Sequence, residues 1–291
     1  MRRFESAQMT SFGPYDVGCT TVYAARRDPR FSYCLYAPPD LRAGRVRPEL
    51  IVVVHGSPRT FMDFRDRFQD FGLANNVMIL SPLFPVGAGG DGSPDGYKYL
   101  SEPGLRYDQI LLDMVSEVSA RWTLSFDRFA LFGFSGGAQF ANRFLLVRPE
   151  SLWAVSLGAP GSVTLFDPSR DWWVGTRDLE ERFGVAPNLD ALRRVPVQCL
   201  VGSEDLDTSE INHREGGRNW MQDANIAGAS RPERLEALRG TLSAAGVSVT
   251  YNVIPGAPHD AAPIIEHAKP FLAAQLAELR RKAATERSPS L

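Results

Sequence analysis

A serine set among glycines carries the strongest chemical signal in this chain. Ser135 lies in Gly133-Phe134-Ser135-Gly136-Gly137, directly after the apolar run Phe129-Ala130-Leu131-Phe132 and before a stretch, 136–147, that reads as a helix. A Gly-x-Ser-x-Gly pattern between a strand and a helix describes a sharp turn that lifts a hydroxyl off the end of a sheet. Gly133 and Gly137 supply the room for it, because a Cβ at either place would collide with the adjoining backbone. The first N–H groups of a helix lack internal partners, and the helix dipole is positive there. The N–H of Gly136 is therefore placed to stabilise an oxyanion growing beside Ser135.

A serine nucleophile needs a base, and the base needs an acid to orient it. There are four histidines. His55 ends the run Leu50-Ile51-Val52-Val53-Val54 and adjoins the turn Gly56-Ser57-Pro58. His213 lies in a polar stretch, and His267 falls inside the last helical pattern. His259 follows the strand-like run 247–254 and the turn Pro255-Gly256-Ala257-Pro258. It is therefore expected on a loop at a strand's C-terminal end, where sheets of this kind keep their chemistry. The acid is expected between serine and histidine. The strand-like run Val197-Gln198-Cys199-Leu200-Val201-Gly202 ends in Ser203-Glu204-Asp205-Leu206-Asp207. Asp205, three residues beyond Gly202, is the favoured acid; Asp207 is the close competitor and Glu204 a weaker one.

The order nucleophile, acid, histidine and the motifs around it resemble those of the α/β-hydrolases, of the serine esterase or lipase type. The resemblance runs from about residue 31 to 279. It rests on strand-His55-Gly56-x-Pro58, strand-Gly-x-Ser-x-Gly-helix, strand-Gly202-x-x-Asp205 and strand-loop-His259. It implies a second oxyanion-hole donor, the N–H of Ser57 after the His-Gly pair; Pro58 has no N–H to give. His55 then becomes a brace for its loop. One departure is Phe134 before the nucleophile, where many members carry a polar residue; it is a candidate substrate contact. Gly136-Gly137 also resembles the Ser-x-Gly-Gly of feruloyl esterases and polyhydroxyalkanoate depolymerases.

The elements that must position these residues alternate. Strands are expected near 17–25, 31–37, 50–54, 77–80, 128–133, 153–157, 197–202 and 247–254. Helical patterns fill 60–74, 105–121, 136–147, 232–245 and 261–282. Such alternation predicts an α/β fold, a mostly parallel eight-stranded sheet with helices on both faces. The first strands have no helix between them and should pair antiparallel. The 291 residues, 44% of them hydrophobic, suit a single domain, 1–291. A net charge of −2 points to no nucleic-acid or anionic-membrane partner. Cys19, Cys34 and Cys199 suggest no disulfide framework. The chain's start shows no apolar leader and no stretch long enough to span a membrane, so a cytoplasmic location is expected.

Three connections are longer than the scaffold needs. Segment 84–100 holds Gly87-Ala88-Gly89-Gly90-Asp91-Gly92, formally a dinucleotide fingerprint, but turn residues follow where a helix should open. A flexible rim of the site is expected instead. Segment 161–196 lies where the resembled family inserts its lid, and Trp172 and Trp173 within it are candidate substrate-wall residues, with packing of the lid onto the core as the equal alternative. Segment 206–231, with His213, Glu210 and Glu215, reads as a solvated loop and offers no metal-ligand spacing. No cofactor or metal is expected. The expected partner is a small-molecule ester, cleaved by Ser135, His259 and Asp205 through an acyl-enzyme. An amidase, peptidase, lactonase or acyltransferase would use the same groups, and a non-enzymatic binding protein could use the same fold. Substrate identity and oligomeric state are not legible.

Overall fold

The computed structural model describes residues 13, 15–43 and 47–287. In chain order it holds the short strands β1 (Gly18–Cys19) and β2 (Tyr23–Ala24), then β3 (Ser32–Ala37) and β4 (Glu49–Val54). Helices α1 (Phe61–Arg67) and α2 (Gln69–Asn75) lead to β5 (Val77–Leu83). A two-stranded ribbon, β6 (Ser101–Glu102) and β7 (Leu105–Arg106), precedes α3 (Tyr107–Trp122). Then come β8 (Phe129–Phe134), α4 (Gly136–Val147) and β9 (Leu152–Gly158). Two short helices, α5 (Leu179–Phe183) and α6 (Leu189–Arg193), lie before β10 (Val197–Gly202). Helix α7 (Arg231–Ala244), strand β11 (Val249–Ile254) and helix α8 (Ala261–Arg287) complete the chain.

The main sheet runs β1-β3-β5-β4-β8-β9-β10-β11, with β2 also on β3. Pairs from β5 through β11 are parallel, and those made by β1, β2 and β3 are antiparallel. The sheet thus has nine strands, not eight, because the expected strand 17–25 splits in two. Thr20 separates the halves: its hydroxyl accepts from the N–H of Leu35 at 3.0 Å. Two further expectations are corrected. The helix over 60–74 breaks at Phe68, whose buried ring packs on Phe71 and Phe132. The helix over 105–121 begins only at Tyr107, since Leu105 and Arg106 pair with Ser101 and Glu102.

Strands β4, β8, β9 and β10 are buried almost throughout, as expected for strands covered on both faces. Ser135 follows β8 and Asp205 follows β10, both in this covered centre, and His259 follows β11, the partly exposed strand at the sheet's edge. Helix α7 is set by a capping box, in which Ser230 Oγ accepts from the N–H of Glu233. Glu233 in turn accepts from the N–H of Ala229 at 2.7 Å.

Candidate active site

The turn between β8 and α4 holds Ser135 at φ 54°, ψ −113°, a left-handed backbone for a residue with a side chain. Such a conformation costs on the order of 1–3 kcal/mol and persists only where surrounding structure imposes it. Here it does. The N–H of Ser135 donates to the carbonyl of Gly158 at the end of β9 at 2.8 Å. A Cβ on Gly133 would run into the backbone of Gly137, and one on Gly137 into the carbonyls of Val54 and His55. The two flanking glycines are therefore demanded by contacts on both sides of the turn.

Ser135 Oγ lies 3.0 Å from Nε2 of His259, and Nδ1 of His259 lies 2.7 Å from Oδ2 of Asp205. With Asp205 ionised, this pattern assigns the proton of the neutral ring to Nδ1 and leaves Nε2 to accept from the serine hydroxyl. The loops after β10 and β11 are zipped together. The N–H of Ser203 donates to the Ile254 carbonyl at 2.9 Å and that of Glu204 to the Ala257 carbonyl at 3.0 Å. The N–H of Gly256 donates to Ser203 Oγ at 2.8 Å. Asp205 is 1% exposed, and its Oδ1 accepts from Nη1 of Arg231 at 2.8 Å. Asp207 is exposed, and its Oδ1 accepts from the N–H of Ser209 at 2.9 Å. Phe134 stacks its ring on that of His259 with centroids 4.8 Å apart and is 8% exposed. Its geometry holds the imidazole more than it offers an open aromatic surface.

The turn after β4 lies beside the serine: a Cβ on Gly56 would sit 3.6 Å from that of Ser135. Ser57 follows it on the exposed side. His55 is fully buried, accepting at Nε2 from the N–H of Phe84 at 3.1 Å, with Nδ1 2.8 Å from the Gly56 carbonyl. Burial pushes its pKa down to about 4, so the ring is a neutral brace between the ends of β4 and β5. Arg59, at φ 61°, clamps the same turn, donating to the carbonyls of Ser57, Phe84 and Pro94. Tyr97 stacks on Phe84 and donates its hydroxyl to the His55 carbonyl at 3.4 Å. A Cβ on Gly136 would meet that hydroxyl and lie 3.1 Å from Cε of Lys98. Glycine at 136 is thus required by Tyr97 and Lys98 as much as by the turn.

These contacts revise the reading of the long connections. Segment 84–100 is anchored at its ends, where Phe84, Tyr97 and Leu100 are buried, while 89–92 are exposed. Segment 206–231 is not simply a solvated loop, since Ile211 and Ala224 are buried and His213 packs its ring against Trp173 at 4.6 Å. Arg218 pairs with Asp91 at 2.7 Å, and Asn219 Nδ2 donates to Asp95 at 3.3 Å, tying the two connections together. Trp172 and Trp173 are 4% and 7% exposed. Their indole N–H groups donate to the carbonyls of Tyr99 at 3.3 Å and Asn219 at 3.0 Å. Both rings line a cavity of about 310 Å³ shared with Tyr99, Glu102 and Met221. A second cavity, about 330 Å³, is lined by Lys98, Gln139, Ser162, His213 and Asn219 among others. Gln139 is one turn beyond Ser135, donating its N–H to the Ser135 carbonyl at 3.1 Å. Among the described residues no group of three or more His, Cys, Asp or Glu could hold a metal ion. None of their helices is long and apolar enough to cross a membrane.

Sequence reasoning missed Arg231, Arg59, Tyr97 and Lys98. Each has at least one partner far along the chain, and nothing in its local pattern announces that contact.

The sequence matches no protein-family model and no curated protein. The structure does match solved ones. It is similar to poly(aspartic acid) hydrolase-1 from Sphingomonas sp. KT-1, with TM-score 0.66 and 17% identity over 82% of this chain and 92% of that one. It is similar to LpqC, a poly(3-hydroxybutyrate) depolymerase from Bordetella parapertussis, with TM-score 0.64 and 22% identity over 86% and 90%. It is also similar to a ferulic acid esterase, with TM-score 0.58 and 16% identity over 88% and 97%. Together with the sheet order and the serine turn, these likenesses define the architecture as the α/β-hydrolase fold.

Proposed function

We propose that this chain of the α/β-hydrolase fold is a serine hydrolase that cleaves a carboxylic ester through an acyl-enzyme. The observation that carries the reading is the unbroken line Ser135 Oγ, His259 ring, Asp205 carboxylate, with contacts of 3.0 Å and 2.7 Å. In this reading His259 Nε2 takes the hydroxyl proton as Ser135 Oγ attacks the ester carbonyl carbon. Asp205 holds the ring's tautomer and stabilises the imidazolium. The N–H groups of Gly136 and Ser57 receive the oxyanion. Collapse expels the alcohol, which takes the proton from His259; water, deprotonated by the same ring, then releases the acid and restores Ser135.

Esters lead over amides because two of the neighbours are named for ester substrates, one a poly(3-hydroxybutyrate) depolymerase and one a ferulic acid esterase, while the third is named for poly(aspartic acid), an amide-linked polymer, and keeps an amidase as the second reading. Segment 161–196 is the lid of one domain, and Trp172 and Trp173 form part of the substrate wall, with Phe134 holding the histidine. Three cysteines, none in a disulfide, suit a reducing compartment such as the cytoplasm. The experiment is turnover of p-nitrophenyl acetate and butyrate, with products followed in water and with added alcohol. Release of free acid supports a hydrolase; acyl transfer to the alcohol at the expense of water makes it a transferase; absence of turnover across esters, lactones and anilides removes the enzymatic reading.

A further inference from the structure

The cavity beside the serine has an unusual charge balance. Arg143 and Arg234 are 0% and 1% exposed, and neither makes an ion pair among the described residues. Arg143 donates instead to neutral oxygens: Thr164 Oγ1 at 3.0 Å, Ser162 Oγ at 3.0 Å and the Lys98 carbonyl at 2.6 Å. Arg234 donates to the Gly161 carbonyl, to the Ile211 carbonyl at 2.7 Å and to Asn212 Oδ1 at 2.7 Å. Of these acceptors, Ser162, Lys98, Gly161, Ile211 and Asn212 all line the 330 Å³ cavity. Each guanidinium therefore sits directly behind the cavity wall.

Burying a cation without a carboxylate is costly, and the field it leaves is weakly screened. The other charges at the cavity do not cancel it. Lys98 is balanced by Asp95, at 2.6 Å, and Arg218 by Asp91; Arg214 and Glu210 offset one another on the open side. What remains is the charge of Arg143 and Arg234. His213, a lining residue, reports the same field. Burial first, then the positive charges of Arg234 and Arg143, push its pKa down to about 4, against the opposite pull of Asp95, which outweighs Lys98. Its Nε2 is buried without a hydrogen-bond partner among the described residues.

The cavity adjoins the helix that follows the serine, although neither Ser135 nor His259 lines it. Gln139 is one turn, about 5.4 Å of helix, beyond Ser135. Lys98 spans the gap, its stem against Gly136 and its ammonium on the cavity wall. We infer that this cavity is a carboxylate subsite: the ester cleaved at Ser135 carries an anionic group, received by Lys98 and His213 in the field of Arg143 and Arg234. The inference rests on the ester-hydrolase reading and adds the substrate's charge class to it.

The test compares esters of equal shape and different charge. On the acyl side, monoethyl glutarate is paired with ethyl 5-methylhexanoate, whose isopropyl group replaces the carboxylate. On the alcohol side, 4-acetoxybutanoate is paired with 4-methylpentyl acetate. Hydrolysis is followed by pH-stat. For at least one pair, kcat/KM should favour the charged ester by tenfold or more. Lys98→Met should cut the ratio about tenfold, whereas Lys98→Arg should keep most of it. Free glutarate should compete with the neutral esters, a measurement that needs no variant. If neutral esters turn over and neither charged partner is preferred, the subsite is wrong and the hydrolase reading stands. A preference that survives Lys98→Met also overturns the assignment. If none of the four esters is hydrolysed while p-nitrophenyl butyrate is, the subsite is wrong and the hydrolase reading stands; if the p-nitrophenyl esters, lactones and anilides are not turned over either, both readings fall.

Discussion

Replacing Asp205 by asparagine should separate the two acidic candidates on the loop after β10. Asp205 offers one oxygen to His259 at 2.7 Å and the other to Arg231 at 2.8 Å, and it is 1% exposed. An amide keeps the shape but has one acceptor for two donors. Whichever way it turns, either Nδ1 of His259 or the guanidinium of Arg231 faces an NH₂. The imidazolium formed during attack also loses its counter-charge. Losses of about 10⁴-fold are typical for this change in a triad, equivalent to roughly 5.5 kcal/mol of barrier. Stability should fall too, because Arg231 is left buried beside a neutral group, at a cost of about 3–5 kcal/mol. For a chain of this size each kcal/mol shifts Tm by about 2–4 °C, so a fall of roughly 10 °C is expected. Asp207→Asn should do neither, since Asp207 is exposed and its carboxylate serves the backbone and hydroxyl of Ser209; activity within twofold is expected. The assay is steady-state hydrolysis of p-nitrophenyl butyrate beside thermal melts of both variants. Asp205→Asn retaining more than a tenth of wild-type kcat, or Asp207→Asn falling as far, would refute the reasoning.

Further expectations follow from individual contacts. Gly136→Ala should lower kcat about 10–100-fold, the equivalent of about 1–3 kcal/mol of overpacking, because its Cβ meets the Tyr97 hydroxyl. Adding Tyr97→Phe should restore part of that loss, and no restoration would mean that the clash is not the cause. Trp172→Ala and Trp173→Ala should each lower stability by about 3–5 kcal/mol. If the rings wall the substrate they should also raise KM for bulky esters more than for acetyl esters; an unchanged ratio assigns them to packing alone. His55 is held neutral with a pKa near 4 against 6.5 for an unperturbed imidazole, so the unfolded chain binds the extra proton between those values. Its contribution, roughly 3 kcal/mol, is complete above pH 6.5 and lost as pH falls towards 4. Urea titrations at pH 7 and 4.5 should show that loss, and His55→Gln should flatten it; a pH-independent stability would contradict the neutral brace.

The parts of this molecule that are legible in the sequence are those encoded by contiguous residues. The glycine spacing around Ser135 is local, and the β8–α4 turn obeys it because Gly133 and Gly137 meet backbone on both sides. The central strands are legible because burial on both faces leaves near-continuous apolar runs. Spacing favours Asp205 and leaves Asp207 as a close competitor. What orients Asp205 is Arg231, twenty-six residues later, and the zipping of two loops after different strands. Tyr97, Arg59 and Lys98 were invisible for the same reason: Tyr97 meets the His55 carbonyl, Arg59 the carbonyls of Phe84 and Pro94, and Lys98 Gly136, all far along the chain. The break at Phe68 and the β6–β7 ribbon were missed because packing and pairing overrode a helical pattern.

The central claim, that Ser135 is the nucleophile activated by His259, is tested most directly by covalent labelling. A fluorophosphonate should add once to the protein, peptide mass spectrometry should place the adduct on Ser135, and labelling should stop the turnover of p-nitrophenyl butyrate. Ser135→Ala should fold with an unchanged melt, take up no label and lose about 10⁴-fold or more of kcat. An adduct on any other residue, or turnover that persists in Ser135→Ala, would contradict the account.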